Sequence, residues 1–474
     1  MSGGETPTRT QAAFAAAVLA AAVGLKIACA FRMGFDSDEP QHLHVAWAWT
    51  RGLVQYRDVF DNHTPLFHLS TAPLVWAIGE RADLLVWMRL AMIPLWALSV
   101  WSVYRIGGSL FSLPHAVTAA VLAGLFPWSF LTSVEFRADD LWAALWLLTL
   151  ALVFAEPRGR RRALAAGLVL GATFAASMKT AVLVGTFSFG FALVFLLDRG
   201  AREWLRRRGP WNTIVWMAAG ATVVPATLAV LFAWLGALGE LYQCVVVHNV
   251  SAAGLLHHRM PRAFLFAVTL LVLLAIARGL LRHAPRPSLG RRRAAFFLGA
   301  AFSLAVVTAF SPLQPPQHFL PLYPPLVLLG VGIALESARS PAASVGLAAA
   351  AAAIEIAVIL SAAPPWNNRT KFGVAVVADV LRLTRPHERI MDFKGEGLFR
   401  RRATYHVLED VTRERMRRAE IRDDIAERLI ATRTYVTLHD TPRFPPRTRQ
   451  FLLDNYVPLA HLRVAGRFLT RREG

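Results

Sequence analysis

"FRMGFDSDEPQHLHVAWAW", residues 31–49, follows an alanine-rich apolar run and crowds Asp36, Asp38, Glu39, His42 and His44 into one short segment. Ionisable side chains are costly within hydrocarbon and gather at sites or at the membrane surface. The fold therefore turns on whether the run before this stretch is the first of several membrane spans, and on which side the stretch emerges.

The rest of the chain answers the first point. Of 474 residues, 55% are hydrophobic, and the mean hydropathy is +0.42. Apolar runs of the roughly 20 residues that cross a bilayer recur as far as Ala363. This is the composition of a polytopic α-helical membrane protein. The net charge of +20 is not one nucleic-acid-binding face. Much of it sits in short loops: "EPRGRRR" at 156–162, "DRGAREWLRRRG" at 198–209 and "RHAPRPSLGRRR" at 282–293. Such loops mark the cytoplasmic side, so no nucleic-acid partner is expected. Cys29 and Cys244 are too few for a disulfide scaffold or a thiolate metal site, and they would pair only if both face outside. "AAVGLKIACA" ends in the small-x-small form of a cleavage site, but one arginine before it makes a weak signal peptide, and a retained first span is expected.

With the basic loops inside, helices are expected at 12–32, 84–105, 114–131, 139–155, 163–178, 180–197, 213–235, 263–281, 294–310, 319–337 and 342–363. That gives about eleven transmembrane helices in residues 1–363, with a cytoplasmic N-terminus and a large first outer loop over about 33–82. The turn at Ser177–Thr180 also fits a re-entrant hairpin, which leaves the sidedness unchanged. After "PPWNNRTKFG" the chain turns polar and arginine-rich. "RIMDF" and "TYVTL" pattern as strands and "VTRERMRRAEIRDDIAERLI" as helices, so 364–474 is expected to be a small α/β domain on the outer, periplasmic face.

This topology places the opening stretch outside. "RGLVQYRDVFDNHTPLFHL" at 51–69, "EFRADD" at 135–140, "SMKT" at 177–180, "VVVHNVSAAGLLHHR" at 245–259 and "QHFLPLYPP" at 317–325 emerge on the same surface. Convergent polar groups at a membrane interface define a candidate site. Asp38 or Glu39 suits a general base on a hydroxyl. Arg137 and Lys179 suit a departing phosphate. A base beside phosphate-binding cations points to group transfer from a lipid-linked phosphate donor.

Asp38-Glu39, then Gly52, Tyr56 and Asp58, then Pro65-Leu66, resembles the first outer loop of GT-C glycosyltransferases. The similarity is to the branch of protein O-mannosyltransferases and the aminoarabinose transferase of lipid A. "FRADD", "SMKT" and "QHFLPLYPP" resemble further segments of that branch, and the similarity runs from about Met33 to Pro325. The resemblance implies an inverting displacement at the anomeric carbon of a polyprenyl-phosphate sugar. It makes Asp38 the base and Glu39 the residue that orients acceptor or base, with Arg137 and Lys179 on the lipid phosphate. Tyr56, Asp58, Asp61, His63, Asp139 and His318 are the implied substrate-binding residues. "DNHTPL" stands where the aminoarabinose transferases carry an acidic-lysine-proline form, so their metal site is not carried over and no metal ligands are assigned. A divalent cation (Mg, Mn or Zn) is the one cofactor left open. The implied partners are the donor, membrane lipids and a lipid, glycan or protein acceptor, in a bacterial inner membrane.

Plainer roles compete. Asp36 and Asp38 also suit helix caps before Pro40. His42 and His44 lie on different helix faces and are not expected to share a metal. Trp47, Trp49 and Phe67 suit an interfacial belt. Arg137 and Lys179 suit interfacial anchors or local ion pairs. Glu355 is expected to be paired inside the bundle. His248, His257 and His258 are further candidates for acceptor contact. Two rival functions are a flippase or transporter of lipid-linked sugars, with charges at the midplane, and a non-catalytic polysaccharide assembly factor.

Overall fold

The computed structural model describes residues 9–155, 159–208, 211–251, 262–283, 287–310, 316–336, 341–438 and 443–465. Each of the expected spans is helical, but two are broken. The 84–105 run divides into Leu84–Leu90 and Ile93–Leu110, and the 114–131 run into Leu113–Leu125 and Pro127–Thr132. Proline sets both restarts: Pro94 and Pro127 occupy first-turn positions, where a missing N–H costs nothing. Phe126, before Pro127, is pushed out of the helical region (φ −51°, ψ 115°).

Among the described residues, six helices are long and apolar enough to cross a bilayer, and Leu66–Ile78, Leu113–Leu125 and Tyr323–Glu336 are shorter apolar ones. Trp211–Trp234 buries only Gly220 and Phe232 among its side chains. A face that open and that apolar requires lipid, so the chain is a multi-pass membrane protein. This helix meets Arg160–Ala176 at backbone contact. A Cβ on Gly167 would lie 2.1 Å from the Met217 carbonyl oxygen, and one on Gly220 would lie 2.4 Å from that of Leu164. Glycine here permits the close approach that replaces a hydrophobic drive between helices in lipid.

The loop that follows the first span, over about 33–82, is itself helical. Glu39–Thr50 and Leu66–Ile78 lie within it, and the first of these is buried along nearly its whole length. Leu43, Trp47 and Phe67 share a core with Phe136 and with Leu398 and Phe399 from beyond the last span. Trp47 and Phe67 are thus core residues rather than an interfacial belt, because the C-terminal unit covers them. That unit contains a five-stranded sheet of β1 (Arg389–Met391), β2 (Arg401–Arg402), β3 (Val436–Leu438), β4 (Val457–Leu459) and β5 (Leu462–Val464). The order is β2-β1-β3-β5-β4, parallel on the β2-β1-β3 side and antiparallel at β3-β5-β4. Asp410–Arg417 and Ile425–Ala431 are the helices expected there.

Two expectations change. Cys29 and Cys244 are both buried free thiols. Glu355 is not paired through its whole carboxyl: Oε2 is buried without a hydrogen-bond partner.

Candidate active site

A tight turn begins the site. Asp36 Oδ1 accepts the Asp38 amide at 2.9 Å, and the Asp36 amide donates to Glu39 Oε1 at 2.9 Å. Pro40 then opens the helix. The Asp38 side chain makes no capping bond, which leaves its carboxylate for other partners.

Glu39 holds this turn in place. It is fully buried and takes a bidentate pair from Arg89, at 2.7 Å from Nε and 2.5 Å from Nη2. The same Arg89 donates to the carbonyls of Met33 at 2.6 Å and Gly34 at 2.8 Å, where the first span ends. Glu39 Oε2 also accepts the Phe136 amide at 2.8 Å. With its oxygens occupied and no exposure, Glu39 positions the turn and Arg137; it does not face an acceptor.

Arg137 precedes Ala138–Phe154 in extended conformation and is only 2% exposed. It forks across the turn: Nη1 pairs with Asp36, and Nη2 lies 2.5 Å from Asp38 Oδ2. Glu135 at 3.5 Å and Asp139 at 3.6 Å complete its surroundings. Lys179 donates to Asp139 Oδ1 at 2.7 Å and sits over the Trp142 ring, with its side chain about one-third exposed. His318 lies within electrostatic reach of Asp139. The expected base, both expected cations and Asp139 therefore come together.

Asp61 is fully buried. It accepts from Gln55 at 2.7 Å and Gln41 at 3.0 Å, and pairs with His63 Nδ1 at 2.8 Å. It orients His63 rather than meeting a substrate. Burial opposes charge on His63, but Asp61, through its charge and its hydrogen bond, with Asp139 and Asp38 beyond, pushes the imidazole above its usual range. Tyr56 and Asp58 serve the loop. Tyr56 is fully buried at φ +74° and donates its hydroxyl to the His63 carbonyl at 2.7 Å. Asp58 Oδ2 accepts the Val54 amide at 2.8 Å. Direct substrate contact is not their arrangement here, because both polar ends are spent on the loop.

His42 bonds His68 at 2.9 Å, while His44 bonds the Leu398 carbonyl at 2.7 Å, so the two point to different partners. His248 is not free to meet an acceptor: its ring bonds Glu409 at 2.8 Å and Arg415 at 3.1 Å, docking the C-terminal unit. His257 and His258 lie outside the described residues. Among those described, no three His, Cys, Asp or Glu side chains are arranged to hold a metal ion.

Lys394 is the residue the sequence did not reveal. It comes from the loop after β1, pairs its ammonium with Asp38 Oδ1, and lies 3.3 Å from Ser37 Oγ. Gly395 makes this reach feasible: its φ is +110°, and a Cβ there would lie 2.9 Å from the His44 Cβ. The only signal in the sequence is the glycine-flanked "KGEG" after a strand. Arg89 had a clearer one, as an arginine within an expected span.

The electrostatics follow. Burial alone would raise the Asp38 carboxyl, but Arg137 and Lys394 hold it well below the usual carboxylate range. Glu135 moves the other way: burial leads, and Glu39 and Asp36 add to it against Arg137, so it sits well above that range. The site thus sets an Asp38 carboxylate held among cations beside a Glu135 carboxyl that burial pushes the other way.

Residues 63–228 match the family model described as dolichyl-phosphate-mannose-protein mannosyltransferase, a stretch that contains His63, Arg137, Asp139 and Lys179. No curated protein matches the chain by sequence. Among solved structures, apo ArnT from Cupriavidus metallidurans is similar with a TM-score of 0.60 at 15% identity, covering 96% of this chain and 98% of that one. The structure of that protein bound to undecaprenyl phosphate aligns less closely, with a TM-score of 0.48 at 17% identity over 78% of this chain and 70% of that one. An Archaeoglobus fulgidus oligosaccharyltransferase tethered to an acceptor peptide is similar with a TM-score of 0.50 at 11% identity, over 90% of this chain and 69% of that one. Over nearly its whole length the chain thus has the fold of ArnT, and its segment 63–228 is similar to the mannosyltransferase family.

Proposed function

We propose that this chain transfers a sugar from a polyprenyl-phosphate-linked donor to an acceptor hydroxyl at the periplasmic face of a bacterial inner membrane, with inversion at the anomeric carbon. In this reading residues 1–363 form the membrane domain and 364–474 an outer domain. The observation that carries it is Asp38 held between Arg137 and Lys394, with Lys179 and His63 at the same rim. The donor class is supported by the matched family description, since dolichyl phosphate is a polyprenyl phosphate. The sidedness is supported by the three basic loops.

Asp38 takes the proton of the acceptor hydroxyl. The acceptor oxygen forms its bond to the anomeric carbon as the bond from that carbon to the phosphate oxygen breaks. The polyprenyl phosphate leaves with the electron pair, and Arg137, Lys179 and protonated His63 face the charge that develops on it. Glu39 and Asp61 are positioning residues for Asp38 and His63. In the resting chain both Asp38 oxygens are occupied, which makes it a weak base. An arriving phosphate competes for Arg137 and Lys394, loosens them from Asp38 and raises its basicity. Donor binding therefore precedes activation of the base, which protects the site from idle proton transfer.

The test supplies vesicles carrying the protein with radiolabelled polyprenyl-phosphate sugar and follows label into acceptor. Asp38→Asn is expected to lose about 10²–10⁴-fold in rate, the usual contribution of a positioned base. Arg137→Ala should lose both rate and donor binding. Equal transfer by wild type and both variants refutes the proposal.

A further inference from the structure

A second cluster of charge lies apart from the reaction centre. A cavity of about 150 Å³ opens between the first outer loop and the sheet, lined by Arg389, Arg401, Arg402 and Arg428 with His44 and Asp58. Arg389 and Arg401 are register partners on the parallel strands β1 and β2, so the backbone sets them side by side. Neighbouring strands are about 4.8 Å apart, close enough for two guanidinium groups to share one ligand.

The charges around this cavity do not balance. Asp58 already pairs with Arg57 at 2.9 Å, and Arg428 with Asp424 at 2.8 Å. Among the described residues Arg389 gives one hydrogen bond, to the Arg402 carbonyl at 2.8 Å, and neither it nor Arg401 has an ion pair, Arg401 being only within electrostatic reach of Asp58. Arg402 is 7% exposed; its Nε lies 3.1 Å from Asp392 Oδ1 and its Nη2 donates to the Asp392 carbonyl at 2.9 Å, while Nη1 is buried without a hydrogen-bond partner among the described residues. A buried N–H left without an acceptor is expensive unless something accepts from it. Burial, then Arg401 and Arg428, press the Arg389 guanidinium below its ordinary range, the direction expected of crowded like charges.

We propose that this cavity binds the anionic group, phosphate or carboxylate, of the acceptor. The inference rests on the transfer reaction proposed above and names the class of its second substrate. Guanidinium forks match both anions in a bidentate manner. Placement fits the role. His44 lines the cavity from the helix that Asp38 begins, six residues on, and six residues of helix rise about 9 Å. An acceptor anchored here by its charge presents a hydroxyl one or two sugar rings away to Asp38. The donor phosphate keeps its own cations, so the two anions do not compete.

The full chain, purified in detergent, is titrated calorimetrically with inorganic pyrophosphate. Wild type is expected to show two binding events, one on the donor cations and one on the arginine cavity. Arg389→Ala/Arg401→Ala should weaken one event at least tenfold and leave the other. Arg401→Gln alone, at an exposed edge-strand residue, should weaken the same event and keeps the question answerable if the double variant does not fold. Identical isotherms for wild type and Arg401→Gln overturn the inference. Competition by glucose 1-phosphate assigns the site to a phosphate, and competition by glucuronate to a carboxylate; competition by neither overturns it. In the vesicle assay the variant should raise the acceptor KM and leave the donor KM unchanged. A chain that binds pyrophosphate in the cavity but transfers no sugar refutes the transferase reading and leaves the anion site standing.

Discussion

Replacing Lys394 with Met keeps the length of the side chain and removes its charge, which isolates one of the two cations on Asp38. Two unit charges about 4 Å apart interact by about 4 kcal/mol at an effective dielectric near 20. Both side chains are 19% exposed, so solvent screens part of this. A neighbouring opposite charge typically lowers a carboxyl by about 1–3 pK units, or about 1.4–4 kcal/mol. The folded chain depresses the Asp38 carboxyl, so its ion pairs stabilise the fold above the ordinary carboxylate range and are lost as pH falls through the depressed value. Lys394→Met raises that value towards the ordinary one, with Arg137 still in place. The acid limb of kcat/KM, followed as pH is lowered with labelled donor in vesicles, should move up by about 1–3 units. Donor KM should rise, because a cation that exchanges onto the phosphate is gone, while kcat at neutral pH is kept or increased. An acid limb where wild type has it, together with an unchanged donor KM, refutes the exchange of cations between base and phosphate.

Other outcomes follow from the same contacts. Glu39→Gln leaves Arg89 buried without its counter-charge and should cost about 3–5 kcal/mol, measured as a lower melting temperature in detergent with loss of activity in proportion to folded protein. Asp61→Asn removes the anion that raises His63; the imidazole charge is present below its folded pKa and lost above it, so the basic limb of activity should move to lower pH. Gly395→Ala forces a side chain onto a positive φ against His44, and should cost about 1–3 kcal/mol and reproduce the altered pH profile of Lys394→Met.

What the sequence made legible was local. Spans are contiguous runs, so hydropathy finds them, and Asp38, Arg137 and Lys179 are visible because each interrupts a run where the chain leaves the membrane. The breaks near Pro94 and Pro127 show only when the proline is weighed against the length of the run. Partnerships across long separations carry no period. Glu39 meets Arg89 fifty residues on, and Lys394 meets Asp38 from beyond the last span. Trp47 and Phe67 have the composition of an interfacial belt, and only the covering C-terminal unit makes them core. Tyr56 and Asp58 stand in a pattern shared with enzymes that bind sugars, yet here the first-order need was to build a loop that holds His63.

The loop that carries Lys394 also sets an order in time. Asp38 leaves the ribosome 356 residues ahead of the lysine that neutralises it. Throughout that interval the nascent chain threads its helices into lipid while Asp38 faces Arg137 at most, with neither the Lys394 ammonium nor the arginines of β1 and β2 in place. Competence therefore arrives last, when the C-terminal unit docks, and a chain stalled before that unit is made would sit in the membrane without a finished centre.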